Sequence, residues 1–146
     1  IKLCDGMIVM LSWQYFSRLW CVYEWAAFLV CQNPMNVRMC ADMMLRGSTV
    51  HLYTSCLRGF SVAAAECFNE EDRPVLLNKI DMYYTSVEAF EKFVRGTAIA
   101  LLARCAAVPA GRSQLEADEV YSPWAPLAQE LGFARLVDVL KVAEPG

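Results

Sequence analysis

The chain has 146 residues, 57% of them hydrophobic, 20% charged and 12% aromatic, with 13 Lys and Arg against 16 Asp and Glu for a formal charge of -3. This is a globular composition, long enough to bury a real core, which excludes wholesale disorder; the lack of a basic run excludes a nucleic-acid footprint. The longest apolar stretches, 19–31 and 97–110, are interrupted by Glu24 and by Arg104 and Pro109, so neither reaches the roughly 20 residues of a membrane span.

The chain opens on Ile1-Lys2-Leu3-Cys4-Asp5, with no initiator methionine and no basic region followed by an apolar one. It reads as an internal fragment without a signal peptide. Met7 to Leu11 is an uninterrupted apolar run after Asp5-Gly6, which predicts a strand buried on both faces, as parallel sheets make them. Arg18 to Cys31 is of helix length and ends at Gln32-Asn33-Pro34, because Pro34 cannot continue a helix. Val37 to Leu45, with Arg38 and Asp42 inside it, predicts the next strand. Gly47-Ser48-Thr49 then turns into Val50 to Tyr53, a segment whose type stays open.

The remainder predicts helices. Ser61 to Phe68 is alanine-rich, and Asp72-Arg73-Pro74 opens a helix to about Tyr84 with Asp72 as N-cap. Thr85-Ser86-Val87-Glu88 is a capping box before a long stretch that reaches Ala107. Pro109-Ala110-Gly111 is the clearest break. Beyond it Ser113-Gln114-Leu115-Glu116 is a second capping box, Ser122-Pro123 a further helix start, and Phe133 to Val142 a short amphipathic helix. The expected division is therefore 1–108 as the main unit and 109–146 as a helical C-terminal extension.

Seven cysteines, an odd number with no C-x-x-C pair and nearly all within apolar runs, point to buried free thiols and a reduced, cytoplasmic setting. No metal-ligand spacing is present. His51 stands alone with Cys56 nearby, and is more simply a structural histidine than part of a catalytic pair. Glu70-Glu71-Asp72 suits a helix start rather than a cation site. Met35, Met39, Met43 and Met44 are spaced for one helical face, as core or as an adaptable contact surface.

One segment carries chemistry. Glu24 is the only acid between Asp5 and Asp42, and its helical neighbours at three and four residues are Trp20, Cys21, Ala27 and Phe28. No local ion pair is open to it, and Arg18, six residues back, reads as lying on another face. Such a carboxylate is exposed at a groove, paired over long range, or raised in pKa by desolvation. Any of these makes it a better functional candidate than an average surface glutamate.

The run Leu-Ser-Trp-Gln-Tyr-Phe-Ser-Arg-Leu-Trp-Cys-Val-Tyr-Glu-Trp from Leu11 to Trp25 resembles the third strand and following helix of Toll/interleukin-1 receptor (TIR) domains, in the plant-immune-receptor and protist-like forms. Their pattern is S-x-x-Y-x-S-x-x-W-C-x-x-E, and the likeness extends over about Asp5 to Leu29. It implies an α/β fold, a flavodoxin-like parallel sheet present in part, with few strands and a mostly helical C-terminal portion. It also implies that the chain starts near the third strand, without the earlier elements that form much of the pocket, so that NAD⁺ cleavage by these 146 residues alone is not expected. In the family, cleavage depends on the glutamate of the W-C-x-x-E element, and that catalytic role falls on Glu24.

Departure of nicotinamide builds oxocarbenium character on ribose, which a nearby carboxylate stabilises, and the cationic leaving group needs no protonation. Ser12, at the carboxyl end of the strand, with Trp13, Tyr15 and Trp20, forms the candidate binding set for NAD⁺ as substrate. No cofactor and no metal are expected. The competing reading is a non-catalytic interaction module, self-associating or binding other TIR-like domains, with Trp13, Trp20, Trp25 and Phe28 facing another subunit. Burial of Glu24 separates the two: an open groove favours the enzyme, a sealed side chain the module.

Overall fold

The computed structural model describes residues 3–41, 44–108 and 111–143. Strand β1 (Met7–Met10) pairs in parallel with β2 (Val37–Cys40), with Met7 opposite Val37 and Met10 opposite Cys40. Helix α1 (Leu19–Cys31) makes the crossover between them, after a 3-10 turn over Trp13–Ser17. Then follow α2 (Val50–Arg58), α3 (Asp72–Tyr84), α4 (Val87–Ala107), α5 (Gln114–Tyr121), α6 (Trp124–Glu130) and α7 (Ala134–Val142). The chain is thus mixed α/β and mostly helical, with a two-stranded parallel sheet among the described residues. No helix of the described residues is long and apolar enough to cross a membrane.

The expectation of a strand buried on both faces is corrected. Val9 and Leu11 are each 1% exposed, whereas Ile8 is 68% and Met10 75% exposed. A strand alternates its side chains, and no described element covers the second face of this narrow sheet, so only every other residue is buried. The second strand ends at Cys40 rather than Leu45; Asp42 and Met43 lie outside the described residues. Met39 belongs to a strand and Met35 to a 3-10 turn, so no common helical face carries these methionines.

Helix α1 is amphipathic in a way its apolar sequence hides. Leu19, Val22, Trp25, Ala26, Phe28 and Leu29 are buried. Trp25 and Phe28, offered above to another subunit, are therefore core residues of this chain. Trp25 donates from Nε1 to Thr97 Oγ1 on α4 at 2.9 Å, satisfying the one polar atom of a fully buried indole.

Ser61 to Phe68 is not a helix but a run of turns, a second correction. Side chains and a bridge capture its backbone instead: Leu19 N–H donates to Glu66 O at 2.9 Å, and Glu66 N–H to Ser17 O at 2.7 Å. Arg73 donates to the carbonyls of Val62 and Ala65 at 3.3 and 2.6 Å. Alanine favours helix only weakly, and these bonds outweigh it. Asp72 is likewise not the N-cap of α3, which is Glu71; its carboxylate accepts a bond from Trp20.

The cap of α4 is Ser86, one residue later than the sequence pattern placed it, accepting from Ala89 N–H at 3.0 Å. Thr85 is left at φ 69°, a left-handed conformation that a β-branched residue adopts at a cost. Thr85→Gly is expected to stabilise by about 1 kcal/mol, because glycine removes that strain but adds unfolded-state entropy. A urea midpoint unchanged or lowered by the substitution would contradict the assigned backbone.

Ser113 caps α5 as expected, accepting from Glu116 N–H at 3.2 Å. Pro109 and Ala110 of the central break lie outside the described residues. On the far side of that break α5, α6 and α7 pack against α4 and contribute Val120, Trp124, Leu127, Val137 and Leu140 to the same hydrophobic core. Gly96 of α4 permits the close approach of Phe133, since a Cβ there would lie 3.0 Å from its ring. Of the seven cysteines only Cys67 is buried, four are half-buried, and Cys4 and Cys31 are exposed, which corrects the expectation of buried free thiols.

Candidate functional site

The site begins where β1 ends. Leu11 N–H donates to Cys40 O at 3.3 Å, the last bond of the ladder, and Ser12 O then accepts from Tyr15 N–H at 3.1 Å to start the 3-10 turn. Tyr15 is folded back over α1, donating its hydroxyl to the carbonyl of Cys21 at 2.9 Å. Burial pushes its phenol pKa well up, with Cys21 and Glu24 adding to the shift, so the hydroxyl stays a neutral donor. Its ring meets Phe16 and Trp25 edge to face.

Between β1 and the first turns of α1 lies a cleft of about 340 Å³, lined by the β1 backbone, Ser12, Tyr15, Arg18, Cys21 and Glu24. Glu24 is exposed there, and neither Glu24 nor Arg18 belongs to a salt bridge among the described residues. Cys21 and Glu24 stand three residues apart on α1, and Arg18, whose extended backbone caps the start of that helix, precedes Cys21 by the same interval. The placement of Arg18 on a different face from Glu24 is thereby corrected: both line one cleft. Burial pushes the Cys21 thiol up, opposed by Arg18 and reinforced by Glu24.

The four expected binding residues separate. Ser12 and Tyr15 line the cleft with Glu24. Trp13 does not; its ring packs at 85° on Tyr53, 6.2 Å between centroids, and Tyr53 in turn donates to Leu11 O at 3.2 Å. Trp20 lies on the other flank of Glu24, in a second groove of about 410 Å³ between α1 and α3 that also holds Tyr23, Lys79, Tyr83 and Tyr84. Glu24 rims both depressions. The Trp20 indole donates from Nε1 to Asp72 Oδ2 at 2.9 Å, which fixes the ring plane.

Arg18, Tyr23, Lys79, Tyr83 and Tyr84 were not singled out from sequence. Trp20, Tyr23, Glu24 and Ala27 do follow the spacing of one helical face, but their pairing with α3 is a long-range fact that spacing within α1 cannot show. The other candidates disperse. Cys56 lines a separate depression beside Phe16 and Phe60 in which His51 takes no part. Glu70 pairs with Arg73 at 3.0 Å. Among the described residues no three His, Cys, Asp or Glu side chains converge as a metal site would need. No family model, no curated protein and no solved structure matches this chain.

Proposed function

We propose that the chain is part of a TIR-like signalling domain of flavodoxin-like type whose complete form cleaves NAD⁺ to nicotinamide and ADP-ribose products, with Glu24 as the carboxylate beside the ribose. One observation carries this reading: Glu24 is exposed and unpaired on a cleft just beyond a parallel strand, where open α/β sheets place their ligands. Ser12 and Tyr15 share that cleft. Arg18 adds a guanidinium suited to the diphosphate, a contact the motif alone does not name.

The chemistry asks little else of the protein. The bond from ribose C1′ to the pyridinium nitrogen breaks, its electron pair leaves with nicotinamide, water adds to C1′, and one proton is released. Glu24 stabilises the developing positive charge and holds a ribose hydroxyl. In the complete domain, wild type is expected to release nicotinamide, measured by chromatography, and Glu24→Gln to lower the rate at least tenfold. Equal rates would remove Glu24 from the chemistry.

The second reading, a non-catalytic module that self-associates or binds other TIR-like domains, is favoured by the exposed Ile8 and Met10 on the uncovered side of β1. If it holds, wild type shows no turnover, and Ile8→Lys with Met10→Lys abolishes self-association in light scattering at micromolar concentration. An unchanged particle mass would rule out this surface.

A further inference from the structure

Trp20 and Tyr23 stand one helical step apart on α1 with their rings at 90° and centroids 6.2 Å apart, forming two walls of a corner. The corner cannot fold shut, because Asp72 holds the indole by its Nε1. Lys79 of α3 reaches across and sets its ammonium 5.9 Å from the Trp20 centroid and 5.7 Å from that of Tyr23. A cation is therefore already seated where the two negative ring faces converge.

The surroundings extend the same chemistry. Tyr83, one turn on from Lys79, is exposed beside the corner, and Tyr84 is fixed by its ring contacts with Phe90 and Phe93 at 4.9 and 6.0 Å. Glu24 lines the groove with a carboxylate that no described residue pairs. Lys79 belongs to no salt bridge among the described residues either, so its ammonium is held at the corner by the rings rather than by a carboxylate. A primary ammonium is strongly hydrated and sits on a flexible stem, which makes it an easily displaced occupant.

We infer that this groove is a receptor for the quaternary ammonium group of a small ligand, and that Lys79 is its built-in, displaceable plug. A quaternary ammonium carries the same charge with a far weaker hydration shell, gains more from aromatic faces than a lysine does, and finds its counter-charge in Glu24. The inference is independent of NAD⁺ cleavage. It concerns the flank of Glu24 that faces α3, and its readout is binding rather than turnover.

The test titrates the intact chain with choline chloride and with 3,3-dimethyl-1-butanol, its uncharged isostere, following the indole N–H resonance of Trp20, assigned through Trp20→Phe. Choline is expected to shift that resonance saturably with at least a tenfold lower Kd than the isostere. Lys79→Ala, a half-exposed position whose loss leaves the core intact, should bind choline at least threefold tighter, and Glu24→Gln at least threefold weaker. Phosphatidylcholine vesicles form a further arm: a shift with vesicles but not with choline assigns a lipid headgroup, and one with choline alone assigns a soluble ligand. Equal response to choline and its isostere, no saturable shift from choline or vesicles even in Lys79→Ala, or weaker binding by that variant would overturn the proposal.

Discussion

Trp25→Ala is expected to destabilise the protein by about 3 to 5 kcal/mol, the range for emptying a fully buried large aromatic site. The indole is 0% exposed and lies edge to face against Phe16 and Tyr15, with centroids 6.0 and 6.1 Å away. Its removal opens a cavity between α1 and α4 and takes from Thr97 Oγ1 the indole N–H it accepts, leaving only its own donation to Phe93 O at 2.8 Å. Trp25→Phe separates the two contributions. It keeps most of the ring and loses the hydrogen bond, so about 1 to 2 kcal/mol is expected. Urea unfolding followed by circular dichroism measures both, and a shift for alanine no larger than for phenylalanine would show that the ring is not packed as described. The same packing supports the cleft wall, since Tyr15 rests on Trp25 and lines the cleft of Glu24.

Arg95→Leu is expected to cost about 3 kcal/mol, because it strips charged hydrogen bonds from the carbonyls of Leu57 and Phe60, of which Leu57 O keeps only weak backbone partners such as Phe60 N–H at 3.4 Å. Arg95 donates from Nε to Leu57 O at 3.1 Å and from Nη2 to Phe60 O, and its guanidinium lies 5.8 Å from the Phe60 ring centroid. Glu91, one turn earlier on α4, accepts the N–H of Val62 at 2.7 Å and pairs with Arg95 at 3.9 Å. Together these side chains hold residues 57–62, where α2 ends and no helix replaces its backbone bonds. Arg95→Lys retains the charge but lacks the planar fork, and should recover less than half of the loss. Hydrogen exchange at Val62 N–H provides the local measurement. Protection unchanged in Arg95→Leu would mean that the segment is held by its apolar contacts alone.

How much of this was legible beforehand differs from element to element, for identifiable reasons. The helix at Leu19–Cys31, the turn at Pro34 and the cap at Ser113 depend on neighbours a few residues away, and the sequence carries those neighbours with it. The run at 61–68 failed because its backbone partners come from Ser17, Leu19 and Arg73, and local alanine content does not register them. For the site, the position of Glu24 as an acid without local partners was readable, and its exposure on a cleft agrees with one of the three environments open to it. Trp13 could not be separated from Tyr15 in advance; both are aromatic, two residues apart, and only the turn between them sends one to Tyr53 and the other to the cleft.

What the amino-acid order determines by itself is the mixed α/β class, most helix positions and the lone carboxylate on α1, since spacing, caps and breakers act within a few residues. Tertiary structure alone decided which face of the nearly uniform helix α1 is buried, that only one side of β1 is covered, and that Lys79 crosses from α3 to the corner of Trp20 and Tyr23. Those outcomes rest on packing between segments some 50 residues or more apart in places, as in the bond of Trp20 to Asp72 across 52 positions. Burial is a property of what covers a side chain, and no local pattern contains its cover.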